Sequence, residues 1–220
     1  MSFRVVIALV AVLLASASGP HARAEAEDCI TIESFAGGSL GSFPDGWRVR
    51  KDSAKSVYTI FDEGAMRFLR ASADGLGIQA ATQHEWDLDA YPILTWSWRP
   101  RVFPQGANEQ SGKNDSALAV YLLVPYSRIR GPKAVKYIWS EQVPVGTRLE
   151  SNLGLTQVKV LRTGANDAWI DERVNARDDY RTLFRTDETP TPAGIAVLTD
   201  GDDTGSKSEG DYANFRACRL

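Results

Sequence analysis

Histidine and cysteine are both scarce in this 220-residue chain, which has only His21, His84, Cys29 and Cys218. That supply removes most zinc sites, which draw on several imidazoles or thiolates, and it weakens any hydrolase triad. Long apolar runs are also missing. The one unbroken run, Val5 to Leu14, has ten residues, where a membrane-spanning helix needs roughly 20. Arg4 precedes it, and small residues lead on to Ala22-Arg23-Ala24, the pattern that signal peptidase reads. Residues 1–24 are therefore expected to be a signal peptide cleaved before Glu25, leaving no integral membrane segment and a periplasmic or secreted protein. The other reading of the run is a buried N-terminal strand. Solenoid-period repeats, low-complexity tracts and Pro-rich linkers are absent. So is any excess of positive charge, with 25 basic against 28 acidic residues and a net charge of −3. Loss of Arg4 and Arg23 takes that to −5. No nucleic-acid partner is expected, and a polyanion-binding surface is not favoured.

The remaining 196 residues suffice for one β-sandwich domain, residues 25–220, which would bury roughly 70 % of its unfolded surface. Short alternating or β-branched and aromatic runs recur at the roughly 8 to 12 residue spacing of a sandwich, divided by Gly, Pro, Asn and Asp. The clearest are 57–61, 66–71, 93–98, 118–124, 135–139, 158–161 and 194–199. Leu118 to Val124 is apolar on both faces and reads as a central, doubly covered strand. In Ile93 to Trp98, Leu94, Trp96 and Trp98 share one face. Only Asp171 to Phe184 has helical character. The expected fold is all-β, an antiparallel sandwich of jelly-roll type with at most one short helix. Cys29 and Cys218 lie near the two mature ends, and in an oxidising compartment one disulfide between the first and last strands is the simplest pairing. Two free buried thiols are the alternative. Such a bridge is worth roughly 4 to 5 kcal/mol by loop entropy.

Chemistry-bearing patterns have plain alternatives. Gly37-Gly38-Ser39-Leu40-Gly41 matches a nucleophile elbow in spacing, but a turn, Phe43-Pro44-Asp45-Gly46, follows where the elbow needs a helix. Gly75 to Ala80 matches a dinucleotide fingerprint without a βαβ unit to hold it, and a hairpin turn fits better. Asp200, Asp202, Thr204, Gly205, Ser206 and Asp211 occupy positions 1, 3, 5, 6, 7 and 12 of a calcium-loop template. Asp200, Asp202 and Asp211 are the expected metal carboxylates and calcium the expected ion; a solvated acidic turn is the alternative, since position 12 lacks Glu. Six tryptophans and seven tyrosines can fill a core or stack on sugar faces. Trp98, Trp139, Arg99, Asp115 and Arg173 are the candidate carbohydrate-binding set. Glu172 with Asp178 or Asp179 could serve as an acid–base pair, though a charged solvated face explains them equally.

Thr95-Trp96-Ser97-Trp98, Asn114-Asp115, Tyr137-Ile138-Trp139-Ser140, Trp169 with Glu172-Arg173, Asp179-Tyr180-Arg181 with Phe184, and Thr199 to Gly205 together resemble a bacterial family of unknown function, number 3047. The resemblance covers nearly all of the mature chain. It implies an exported protein with a jelly-roll domain like those of carbohydrate-binding modules, and it implies no known activity. The chain departs from that pattern in placing Arg185 where Gly follows Phe184, and in ending on Tyr212-Ala213-Asn214 where a more acidic ending is usual. The expected function is a non-catalytic carbohydrate-binding module for a polysaccharide or oligosaccharide. The alternatives are a glycan lyase or hydrolase with His84 as base, and a structural or partner-binding envelope protein.

Overall fold

The computed structural model describes residues 28–220; the expected signal peptide lies outside them. Along the described chain run β1 (Cys29–Glu33), β2 (Trp47–Val49), β3 (Tyr58–Glu63), β4 (Met66–Asp74), β5 (Ala80–Gln83), β6 (Ile93–Val102) and β7 (Leu118–Ser127). They are followed by β8 (Gly131–Ser140), β9 (Arg148–Ser151), β10 (Thr156–Thr163), β11 (Ile170–Asn175), α1 (Ala176–Phe184), β12 (Gly194–Leu198) and β13 (Lys207–Cys218). One sheet has the order β11-β6-β13-β4-β3, with β1 pairing the far end of β13; the other has the order β2-β5-β12-β7-β8-β10-β9. This is the expected jelly-roll-type sandwich, and each of the seven expected runs is a strand. One pair, β8 with β10, is parallel, so the second sheet is mixed.

The core lies between the sheets. Leu94, Trp96 and Trp98 all face inward, as period-two alternation requires. Trp96 packs on Tyr137 at 5.6 Å and Trp98 on Trp139 at 5.7 Å between centroids, joining the sheets across the middle. β7 is central and doubly covered: Leu118, Val120, Leu122 and Val124 enter this core, while Ala119 and Tyr121 join a second apolar cluster on the sheet's outer face. Cys29 and Cys218 are disulfide-bonded, tying β1 to β13.

The expected helical segment divides in two. Ile170 to Asn175 is strand, because Glu172 and Val174 point inward while Asp171 and Arg173 point out. A buried glutamate in an inward position disguised the alternation. The helix starts at Ala176, where the Asn175 side chain accepts from the Asp178 amide at 3.0 Å. Gly75 to Gln79 is not a hairpin turn; it carries the chain from β4 in one sheet to β5 in the other.

Candidate functional site

The proposed sugar platforms are core residues. Trp98 is 0 % and Trp139 2 % exposed, and their indole N–H groups donate inward, to Glu172 Oε1 at 3.0 Å and to the Gly164 carbonyl at 2.8 Å. Neither ring can meet a sugar. Glu172 is in turn held by Arg162 at 2.6 Å, and Asp179 by Lys159 at 2.7 Å, so this pair is occupied structurally. His84 is half-buried against Trp86.

Arg99 and Arg173 lie on the outer face of the six-stranded sheet, and they serve different surroundings. Arg99 is almost fully buried and clasps Asp211, with Nη2 2.9 Å from Oδ2, beneath the Trp169 ring at 4.6 Å. Asp211 is itself 0 % exposed and also accepts from Arg70 Nε at 2.7 Å. Arg101 Nε lies 3.4 Å from its Oδ2 as well, so Asp211 is held by three guanidiniums and does not join the loop carboxylates that the calcium template expects it to meet. Arg173 lines a cleft of about 320 Å³ with Asp171, Asn214 and Arg216, whose hydroxyl Ser97 already donates to Asp171 at 2.6 Å.

Asp115, expected among the sugar ligands, instead meets Asp200 and Asp202: one carboxylate oxygen from each lies within 4.8 Å of the others. The meeting needs Gly77, since a Cβ there would stand 2.3 Å from Asp200 Oδ1. Asp115 also accepts from the Asp203 and Thr204 amides at 3.1 and 2.8 Å, which folds the loop around it. Burial pushes the Asp200 carboxyl up to about 7; Lys136 opposes the shift, and Asp202 and Asp115 add to it. Lys136 faces Asp200, and its own charge is held on by Tyr121 and Asp200 against its burial.

A concavity opens on the outer face of the seven-stranded sheet. Strand register sets a row across its floor: Arg48 opposes Ala81, Ala81 opposes Ala196, Ala196 opposes Tyr121, and Tyr121 opposes Lys136. Small side chains at 81 and 196 leave a trough beside the Tyr121 ring, and Lys136 Nζ sits 5.6 Å from that ring's centroid. Two hollows of about 570 and 600 Å³ share Leu123 and Pro132 and so form one groove. Thr82, Gln83, Gln79, Asn152 and Ser151 supply hydrogen-bonding groups. Tyr126, 51 % exposed, stands at the rim, with Lys133 Nζ 4.8 Å from its centroid. Tyr126 is absent from the tryptophan-centred set that the sequence suggests; the signal that points to it is its place beside Pro125 near the end of β7.

The profile of a family described as "Protein of unknown function (DUF3047)" matches residues 45–216. No curated protein matches the chain. Among solved structures, the chain is similar to a family 11 carbohydrate-binding module from Clostridium thermocellum, in complex with a β-1,3-1,4-mixed-linked tetrasaccharide, at 11 % identity and a TM-score of 0.43, covering 88 % of this chain and 96 % of that one. It is also similar to the xyloglucanase domain of NopAA, a type three effector from Sinorhizobium fredii, in complex with cellobiose, at 11 % identity and a TM-score of 0.38, covering 82 % and 96 %.

Proposed function

The chain belongs to the family of proteins of unknown function DUF3047, and from that premise we propose that it is an exported, non-catalytic carbohydrate-binding protein whose site is the groove over Tyr121 and Tyr126. The observation that carries this is the groove's make-up. A sugar ring offers a flat C–H face and a rim of hydroxyls, and the groove offers one exposed aromatic ring, an apolar trough of Ala81, Leu123 and Ala134, and amide and hydroxyl groups around them. Export accords with the disulfide; no helix among the described residues is long and apolar enough to cross a membrane.

Native electrophoresis through gels that each hold one polysaccharide tests the reading. Retarded migration with intact polymer is expected, and Tyr126→Ala should abolish it without loss of folding, because Tyr126 is half exposed. Clearing of the polymer would make the protein a glycan lyase or hydrolase instead. No retardation on any polymer would favour the envelope-partner reading.

A second reading concerns the loop. We propose that Asp115, Asp200 and Asp202 take a calcium ion, because one carboxylate oxygen from each converges within 4.8 Å of the others; loop carbonyls would supply further oxygens. Millimolar calcium should then raise Tm, and Asp202→Asn should remove that rise. An unchanged Tm would sink the site.

A further inference from the structure

We infer that the ligand of this groove is an acidic polysaccharide, an inference that rests on the carbohydrate reading above and narrows it. Four arginines line the groove: Arg48 and Arg128 in one half, Arg50 and Arg130 in the other. No aspartate or glutamate lines either half. Each half thus receives one guanidinium from β2 or its end and one from the β7–β8 turn.

All four are exposed, and none forms a salt bridge among the described residues. Several arginines elsewhere are set against carboxylates, although Arg67, Arg148, Arg185 and Arg216 are not, and those four do not gather in one groove. Arg70 and Arg99 hold Asp211, Arg162 holds Glu172, and Arg219 holds Asp28. Carboxylates outnumber cations in this chain by 28 to 25, so partners were available, yet none is set against the groove's four. The net charge, which disfavoured a polyanion, hides a groove whose lining carries four arginines and no carboxylate.

Arginine is suited to this task. Its planar fork binds a carboxylate with two parallel hydrogen bonds and stays charged at any physiological pH. Two arginines in each half match a polymer that repeats its anionic group along its length. The trough and Tyr126 would take the apolar ring faces between those groups. Carboxylate and sulfate esters share this chemistry, and the assay separates them.

The experiment is the same gel assay with polygalacturonate, a sulfated galactan, neutral xylan and neutral mixed-linkage glucan, run without calcium at 20 and 300 mM salt. Acidic polymer should retard the protein at least tenfold more strongly than neutral polymer, and high salt should weaken it. The double variant Arg48→Gln/Arg128→Gln should lose at least tenfold of that affinity. Both side chains are exposed and unpaired, so folding should hold, with circular dichroism as the check. Preference for polygalacturonate would identify carboxylate as the anion, and preference for the galactan would identify sulfate. Retardation as strong on neutral polymers, or an unaffected double variant, overturns the inference while leaving the carbohydrate reading standing. Equal retardation on single-stranded DNA overturns it too, as a general polyanion surface. No retardation on any polymer overturns both.

Discussion

Asp211 and its three arginines show why a charged residue in a sequence can be misread. By spacing it closes a calcium loop; in the fold it is a buried anion in strand β13, held by Arg70, Arg99 and Arg101. Breaking a buried pair leaves an uncompensated charge, at a cost of about 3 to 5 kcal/mol. Asp211→Asn should lower stability by that amount in urea melts, and calcium should not alter the loss. The two central tryptophans behave likewise. Trp139→Phe should cost stability and leave glycan retardation of the folded protein unchanged, whereas a specific loss of binding would return Trp139 to the site. Arg185 is a third case. It sits just past α1 at φ 54°, a left-handed conformation that glycine adopts freely and arginine does not. Arg185→Gly should therefore gain about 1 kcal/mol, and no gain would mean that the Arg185 side chain makes compensating contacts.

At the level of elements, the strands read from sequence are those with an unbroken pattern, either alternating or, as in β7 and β12, apolar throughout. β13 escaped because its pattern changes phase midway. Ser208, Gly210 and Tyr212 are buried on even numbers, then Phe215 and Ala217 on odd ones, and the change occurs at Asn214, whose φ of 56° opens a bulge. Asparagine tolerates that conformation better than most residues. β13 is nonetheless the spine of its sheet, pairing β6 along one side and β4 and then β1 along the other. β1 is held by β13 and by the disulfide. Removing the bridge with Cys29→Ser/Cys218→Ser should cost about 2 to 5 kcal/mol, and amide exchange should show β1 loosening before the rest. Protection of β1 equal to that of β6 would mean that its hydrogen bonds suffice.

Over the whole molecule, the tyrosines set a limit on alkaline stability. Burial raises the phenol of Tyr58 well above its ordinary value, with the charge of Tyr212 adding to it, and burial likewise raises Tyr121, Tyr137 and Tyr212. Above about pH 10, the ordinary tyrosine value, the unfolded chain loses these protons while the folded chain keeps them. Stability is thus intact below pH 10 and falls as pH rises beyond it. Denaturant melts from pH 8 to 11 should show that fall, with a shallower slope in Tyr58→Phe; a flat profile would contradict it. Alternation, turn residues and chain ends were enough to read from the sequence an all-β sandwich, its central strand, the shared face of Leu94, Trp96 and Trp98, and the simplest cysteine pairing; that the tryptophan face points inward was not legible, because alternation does not say which face is covered. Partners across the fold were decided by tertiary structure alone. Asp115 meets Asp200 and Asp202, Glu172 fills an inward position because Arg162 and Trp98 reach it, and Arg48 and Arg50 join Arg128 and Arg130 only because β5 and β12 lie between β2 and β7. Strand order is set by packing of the entire core, and no local pattern encodes it.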